Sequence, residues 1–329
     1  MNIDFFSVGD IVSEPFIRLK DARVNCDIDD GACTISMRFG DKIPYESATF
    51  VPAVGNASNA AVAAARLGLS AALRSYVGDD IYGRECLEVL ARENVDTSFM
   101  ETEVGKNTNY HYVLWFEDER TILVKHEEFS YSAPALSESP SWMYLSSLAA
   151  NSLPYHEALA QLLSKHPSTK LAFQPGTFQM SQGYEALKPL YERSDLFFCN
   201  KEEAARILKN DERDIRALLT SMHGLGPKTV IITDGPRGAH AFDGDRMLTV
   251  PMYPDIAPPL ERTGAGDAFA STITAALALG LPLEEALLWG PINSMSVVQA
   301  IGAQKGLLTR DALETYLRNA PADYTVTPL

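Results

Sequence analysis

Short apolar runs alternate with helical segments over the second half of the chain, and this alternation restricts the folds open to it. The runs are WMYLSSL, KLAFQP, LFFCN and TVIITDG, and helical patterns cover 155–165, 183–192, 201–209 and 215–223. Fully apolar strands joined by helices predict a parallel sheet that helices cover on both faces. In such α/β folds, ligands bind beyond the carboxyl ends of the strands. We therefore expect the polar residues at those ends to share one edge: Gln174, Asn200, Thr233 and Asp234.

Length, charge and cysteine usage limit the class of protein. The 329 residues fit two domains or one large α/β unit. A net charge of −15 argues against general binding to nucleic acid or to acidic membranes. No apolar run approaches the ~18 residues of a membrane span, and the N-terminus lacks the basic segment of a signal peptide. We expect a soluble, cytoplasmic protein with four free cysteines, and a Cys26–Cys33 disulfide is the alternative.

The segment ERTGAGDAFASTITAALALG places a glycine-rich turn directly before an apolar, alanine-rich helix. The free N–H groups and the positive dipole end of such a helix start form an anion site. Asp267, in the first helical turn, adds a carboxylate beside the anion. Phosphoryl transfer explains this pairing, because the N–H groups take the phosphate and the carboxylate takes the proton of an acceptor hydroxyl. The alternative is a tight turn with an aspartate cap.

The same residues carry a resemblance to a known family. TGAGDAF followed by a small-residue helix resembles the C-terminal signature of the ribokinase-like (PfkB) carbohydrate and nucleoside kinases. The resemblance implies an α/β, ribokinase-like sandwich with a parallel sheet, helices on both faces and a small β-sheet lid. It also implies a kinase that uses ATP and Mg²⁺ to phosphorylate a hydroxyl of a sugar or nucleoside. The catalytic set would be Gly264, Ala265, Gly266 and Asp267, with Asp267 as the base.

Two further segments resemble the substrate side of the family. In GDIVSE, Glu14 lies five residues after Gly9, where the family has an acidic residue, usually Asp, that holds sugar hydroxyls. The alternative for Glu14 is a solvated loop residue. In PAVGNASNAAVAAARLGLS, Gly55 and Asn59 match a Gly-Gly pair followed three residues later by Asn, although Val54 replaces the first Gly. The resemblance thus implies Glu14, Gly55 and Asn59 as substrate-binding residues.

Three segments resemble the nucleotide side of the family. Asn200 and Glu203 match the motif NxxE, which the family associates with magnesium and phosphate, so that Glu203 would act on Mg²⁺ indirectly. A simple helix cap is the alternative for this pair. The motif T-x-G-x-x-G, near the nucleotide phosphates and ribose, is matched by Thr233, Gly235 and Gly238. Asn293 lies in a segment that resembles the adenine side, so we place it near the nucleotide.

Two departures from the family bear on the substrate and on ions. FQPGTFQ lacks the Asp-x-Asn-x-Arg of many members, which indicates an unusual acceptor or an uncommon branch. Glu261-Arg262 replaces the usual Asp-Thr, whose Asp belongs to a monovalent-cation loop in many relatives, so dependence on such a cation stays open. Arg262 could supply positive charge near the phosphates. Arg237 either meets phosphate or is a solvated turn residue.

Two insertions are predicted to pair into one small lid. They cover 16–45 and 107–127, and the core would comprise 1–15, 46–106 and 128–329. Such a lid would exclude water and so prevent wasteful hydrolysis of ATP. Its aromatic residues would stack on a ligand ring, pack on the core, or meet a second lid in a homodimer: Tyr110, Tyr112, Trp115 and Phe116. These aromatics and the missing Asp-x-Asn-x-Arg favour a nucleoside or ribosyl acceptor over other polyols.

Two other functions are alternatives to phosphoryl transfer. A catalytically silent, ligand-sensing relative is the alternative, but the intact Asp267 and its flanking glycines argue against it. A Rossmann oxidoreductase is excluded because no G-x-G-x-x-G follows the first strand. The expected partner is therefore a small sugar or nucleoside, with neither nucleic acid nor membrane.

Overall fold

The computed structural model describes residues 3–26, 33–117 and 119–329. The strands are β1 (Phe5–Val8), β2 (Val12–Leu19), β3 (Arg23–Cys26), β4 (Cys33–Ser36), β5 (Tyr45–Val54), β6 (Ala71–Arg74), β7 (Tyr76–Gly78), β8 (Glu101–Glu103), β9 (Tyr112–Phe116), β10 (Glu119–Leu123), β11 (Trp142–Leu145), β12 (Lys170–Phe173), β13 (Leu196–Asn200), β14 (Thr229–Thr233), β15 (Ala239–Phe242), β16 (Met247–Val250) and β17 (Thr327–Pro328). The α-helices are α1 (Asn56–Arg66), α2 (Ile81–Arg92), α3 (Leu153–Lys165), α4 (Thr177–Gln182), α5 (Tyr184–Arg193), α6 (Lys201–Leu208), α7 (Ile215–His223), α8 (Ala265–Ala278), α9 (Leu283–Val297) and α10 (Arg310–Arg318). None of these helices is long and apolar enough to cross a membrane.

The larger sheet has the strand order β17-β16-β15-β14-β13-β12-β11-β1-β6. From β14 to β6 all neighbouring strands are parallel, as the alternating pattern predicts. Three antiparallel strands, β15 to β17, extend the other edge. Because side chains alternate across a strand, Phe5 packs with α1, α8 and α9, whereas Phe6 packs with α3, α5, α6 and α7. Helices therefore cover both faces of the sheet.

A second sheet, of order β10-β9-β2-β5, contains strands from both predicted insertions, and we refer to it as the lid. The two predicted segments pair in it, because β2 runs parallel to β9 with Phe16 opposite Val113. Its strands extend beyond the predicted bounds, since β2 begins at Val12 and β5 continues to Val54. The predicted boundary lies at the exposed start of β5, where the composition of the sequence changes. The pairing of the strand continues beyond that point to its buried end. The predicted bounds also include 1–2, 27–32 and 118, which lie outside the described residues.

One hairpin overturns the expectation of four free thiols. Strands β3 and β4 form a separate two-stranded sheet in which Cys26 and Cys33 lie opposite each other. The two cysteines form a disulfide, with their Cα atoms 3.9 Å apart. Their spacing in the sequence allows this cross-strand register but does not reveal it. Cys86 and Cys199 are free and buried.

Candidate active site

Two cavities meet at the N-terminus of α8. The first, of about 520 Å³, lies between the lid and the carboxyl ends of the parallel strands, and the second has about 430 Å³. Four residues line both cavities: Thr233, Arg262, Gly266 and Phe269. The predicted site residues that line the first cavity are Glu14, Gly55, Asn59, Asn200, Glu203, Thr233, Gly264, Gly266 and Asp267. Those that line the second are Thr233, Gly235, Gly238, Ala265 and Gly266.

The turn before α8 requires glycine at one position. Gly264 has a φ of 80°, and a Cβ there would lie 2.3 Å from the Cβ of Ala303. The first α-helical bond runs from the N–H of Ala268 to the carbonyl of Gly264, at 2.8 Å. Within the described ranges, the N–H groups of Gly266 and Asp267 have no acceptor, as expected for a first helical turn. Two main-chain donors are thus available beside the cavities.

Three side-chain amides hold the carboxylate of Asp267. Asn56 Nδ2 donates to Oδ1 at 2.9 Å, Asn59 Nδ2 donates to Oδ2 at 2.8 Å, and Gln174 Nε2 donates to Oδ1 at 3.4 Å. Burial raises the pKa of Asp267, and the bonds from Asn59 and Gln174 act in the opposite direction. The buried hydroxyl of Tyr144 bonds to Gln174 Oε1, which directs the Gln174 amino group toward Asp267. The carboxylate is therefore fixed in position by uncharged donors.

Two acid–imidazole pairs line the first cavity. Asp10 Oδ2 lies 3.1 Å from His126 Nδ1, and Glu14 Oε1 lies 3.5 Å from His111 Nδ1. Strand β2 holds Glu14 at 7% exposure, so the alternative of a solvated loop residue is wrong. The two imidazole rings are 5.0 Å apart. This wall offers several hydrogen-bonding groups to a polar ligand.

The residues of the NxxE motif form both a helix cap and part of the cavity wall. Asn200 Oδ1 accepts from the N–H of Glu203, and Glu203 Oε2 accepts from the N–H of Asn200, each at 2.8 Å. Burial raises the pKa of Glu203. Nearby, Arg237 makes two bonds of 2.7 and 2.6 Å to Asp234. With a side chain that is 68% exposed, Arg237 is a solvated turn residue paired with Asp234.

The structure does not bring Asn293 to either cavity, which corrects its predicted contact with the nucleotide. Its side chain is fully buried, where Nδ2 donates to Thr272 Oγ1 and Oδ1 accepts from the N–H of Leu308. Successive residues of a helix point about 100° apart, so a neighbouring position faces the cavity instead. Pro291 and Ser294, on the same helix, line the second cavity.

The predicted stacking aromatics do not line the first cavity. Tyr110 packs against Tyr82, Tyr112 and Phe50, at centroid distances of 4.7, 5.2 and 6.2 Å. Trp115 is buried under the guanidinium of Arg18. The aromatic residues of the first cavity come from the core instead: Phe178, Phe198 and Phe269. The aromatic lid therefore no longer favours a nucleoside over another polyol.

Glu261 and Arg262 differ in their surroundings. Glu261 is 2% exposed, and its two carboxylate oxygens accept from the N–H groups of Thr263 and Gly302, at 2.6 and 3.0 Å. Arg262 is exposed and lines both cavities. The loop before α8 is thus closed by main-chain hydrogen bonds to Glu261.

Several cavity residues were not predicted from the sequence: Asp10, Asn56, His111, Arg120 and His126. Asn56 offered a signal, because it follows Gly55 directly and begins α1. His111, Arg120 and His126 reach the cavity only because the lid folds over the core, and no local pattern in the sequence reveals that contact.

Known proteins of similar sequence include sugar and nucleoside kinases. The model of the pfkB family carbohydrate kinases matches residues 35–310. The ribokinase of Bacillus subtilis (strain 168) is 26% identical over 311 residues, which cover 87% of this chain and 97% of that protein. The cytidine kinase of Thermococcus kodakarensis is 27% identical over 266 residues, which cover 76% of this chain and 87% of that protein.

A solved structure of similar fold is that of Arabidopsis thaliana ribokinase complexed with ribose and ATP. It matches with a TM-score of 0.80 and covers 97% of this chain and 99% of that chain. Because the two sequences are only 18% identical, this match establishes the fold and nothing finer.

Proposed function

This chain belongs to the pfkB family of carbohydrate kinases, and we propose that it transfers the γ-phosphoryl group of ATP to a hydroxyl of a sugar or nucleoside. The observation that carries the proposal is the position of Asp267 at a helix start shared by two cavities. The first cavity has the polar wall that a polyol needs. The second has apolar walls suited to a nucleobase, including Tyr253, Met295 and Val298. Donor and acceptor would therefore meet beside Asp267.

The chemistry follows from the groups at that helix start. The acceptor hydroxyl donates its hydrogen bond to Asp267, which takes the proton as the acceptor oxygen attacks the γ-phosphorus. One O–P bond forms to the acceptor, the bond from the γ-phosphorus to the β,γ-bridging oxygen breaks, and ADP leaves. The N–H groups of Gly266 and Asp267 stabilise the charge on the transferring phosphoryl group. Asn56 and Asn59 hold the carboxylate in position for the attack.

Mg²⁺ fits this site as an ion held mainly by ATP. Among the described residues, no group of three or more His, Cys, Asp and Glu side chains is arranged to hold a metal. Mg²⁺ usually keeps several waters and binds through one or two carboxylates together with substrate phosphates. Asn200 and Glu203 would hold it through such waters, since both line the first cavity. When bound, Mg²⁺ neutralises charge on the phosphates of ATP.

Release of ADP in the presence of candidate acceptors tests the proposal. The panel contains pentoses, hexoses and nucleosides, because the cavity wall does not favour one class. We expect acceptor-dependent ADP release with a subset of these compounds. A protein that binds some of them, as judged by a rise in Tm, but releases no ADP with any would instead be the silent ligand-sensing relative.

The lid supports a further part of the proposal, a homodimer in which two lids meet. Several large apolar side chains of this sheet are exposed: Phe50, Tyr112 and Leu123. Exposed apolar residues on a small projecting sheet are suited to contact with a second subunit.

Gln174 gives a prediction for pH dependence. Its hydrogen bond stabilises the ionised form of Asp267, so its loss should raise the pKa of that carboxyl group. Asp267 would then stay protonated, and inactive as a base, up to a higher pH. We expect Gln174→Leu to move the acidic limb of the pH profile of kcat to higher pH.

The matched control is Gln299→Leu, which removes an amide bonded to the carbonyl of Ala257, away from both cavities. That variant should keep the acidic limb of the wild type. An unchanged limb in Gln174→Leu would show that this amide does not influence the base.

Glu261 gives a prediction for monovalent cations. Both of its carboxylate oxygens bond to main-chain N–H groups, so the loop before α8 is held by the protein itself. We expect kcat/KM to differ by less than about twofold between potassium chloride and choline chloride at equal ionic strength. A large activation specific to potassium would contradict this role of Glu261.

A further inference from the structure

Arg120 is a cationic side chain on the inner face of the lid. We define this face by the lid residues that line the first cavity: Val12, Glu14, His111, Arg120, Ile122 and Val124. Arg120, Ile122 and Val124 are two residues apart along one segment, so their side chains lie on the same side of the sheet. The lid therefore presents one guanidinium, flanked by apolar groups, to the cavity that contains Asp267.

The charge of Arg120 has no partner within the described ranges 3–26, 33–117 and 119–329. The ion pairs found there do not include it. Its Nε is buried and has no hydrogen-bond partner among the described residues. Partial removal of a guanidinium from water costs free energy when no acceptor replaces the water. This arrangement is suited to an anion that enters the cavity with a ligand.

Arg18 shows that an arginine at a neighbouring position of the lid sheet can find partners within the protein. Trp115 is opposite both Arg18 and Arg120 in the register of the lid sheet. The guanidinium of Arg18 lies 4.6 Å from the centre of the Trp115 ring and 3.1 Å from Glu46. Arg120, on the other side of Trp115, makes neither kind of contact in the described part of the chain. Arg18 thus contacts groups of the protein, whereas Arg120 faces the first cavity.

The position of Arg120 relative to Asp267 indicates which anion it meets. Burial raises the pKa of Asp267, and the charge of Arg120 is among the groups that lower it, so the two side chains influence each other across the cavity. In the proposed reaction the acceptor hydroxyl bonds to Asp267, and the γ-phosphorus lies ~3 Å from the acceptor oxygen. Arg120 and Asp267 line the same cavity, so a phosphoryl group transferred beside Asp267 lies in the space that the guanidinium faces.

We propose that Arg120 is a further catalytic residue, which donates N–H groups to the equatorial oxygens of the transferring phosphoryl group. The inference rests on the proposed kinase function. The lid residue complements the amides of α8, because these donate from the core and Arg120 donates from the opposite side. Ile122, which is half-buried on the same face, limits the access of water to the guanidinium, and the charge of Arg120 acts more strongly in a drier site. Closure of the lid is thereby coupled to phosphoryl transfer.

The test compares Arg120→Met and Arg120→Lys with the control Arg18→Met. With an acceptor found in the ADP screen, we expect Arg120→Met to lower kcat at least ~100-fold while the KM for the acceptor stays within about threefold. Arg120→Lys should recover part of this loss, since it restores the charge. Arg18→Met, on the same row of the lid, should keep the kcat of the wild type.

A second measurement separates contact with phosphate from a structural role. ADP with aluminium fluoride mimics the transferring phosphoryl group, so we expect calorimetry to show that fluoroaluminate tightens ADP binding to the wild type. Arg120→Met should lose this increase while binding ADP alone as the wild type does.

Three outcomes would overturn the inference. The first is an unchanged kcat in Arg120→Met. The second is a raised KM for the acceptor with an unchanged kcat, which would make Arg120 a residue that binds an anionic group of the acceptor. In both of these cases the kinase proposal stands. The third is failure of the wild type to phosphorylate any acceptor, which removes the kinase proposal and the role of Arg120 with it.

Discussion

Asp267→Asn is expected to lower kcat by about 10³-fold and to leave the affinity for ATP within about threefold of the wild type. The asparagine has nearly the same shape but cannot take the proton of the acceptor hydroxyl. The main-chain N–H groups of Gly266 and Asp267, which would bind phosphate, are retained in the variant. A fall in kcat without a fall in ATP affinity therefore separates proton transfer from nucleotide binding.

The matched control for this variant is Asp311→Asn. Asp311 is also an acidic residue in the first turn of a helix, α10, but it lies away from both cavities. The Asp311→Asn variant should retain the turnover of the wild type. Steady-state ADP release and nucleotide titration measure the two quantities. Turnover of Asp267→Asn at the wild-type rate would show that another group takes the proton.

Gly264→Ala is expected to lower kcat/KM by roughly 100-fold, because it displaces the amides that stabilise the phosphoryl group. The added Cβ would overlap Ala303, and the residue would have to keep a φ of 80°, which costs a non-glycine residue about 1–2 kcal/mol. The turn must therefore shift, and with it the start of α8. We also expect a lower Tm.

Gly280→Ala separates the cost of the backbone conformation from the effect on the site. Gly280 has a φ of 87°, but a Cβ there would meet no atom within 4 Å. This variant should lose stability through the backbone alone and keep its turnover per folded molecule. Equal losses of kcat/KM in the two variants would show that the contact between Gly264 and Ala303 does not matter for the site.

Much of the core was predictable because its signals are local. The parallel strands are continuous apolar runs, and the anion-binding turn is a contiguous segment that ends in Asp267. The geometry of that turn can be anticipated because Gly264 permits a backbone that other residues avoid. Glu14, Gly55 and Asn59 were placed near it by their resemblance to motifs of the family, and all three line the first cavity.

The remaining features depend on register, on helix orientation or on contacts between distant segments. Asn59 was predicted to hold the substrate, but its Nδ2 donates to Asp267, 208 residues away, so a direct substrate contact stays a prediction. Asn293 lies on the expected helix, yet a rotation by one residue decides whether a side chain reaches the cavity or the interior. The register of a hairpin brings Cys26 to Cys33, and the packing of Tyr110 against Tyr82 removes it from the cavity. None of these contacts has a pattern within a single segment.

The fate of the γ-phosphate tests the central claim most directly. Wild-type protein is incubated with ATP, Mg²⁺ and an acceptor from the screen, and phosphorus NMR follows all phosphate species. The account predicts that one phosphate ester of the acceptor forms for each ADP, with little inorganic phosphate, and that Asp267→Asn forms neither at a comparable rate. Release of inorganic phosphate without a phosphorylated acceptor would contradict transfer to a hydroxyl held by Asp267.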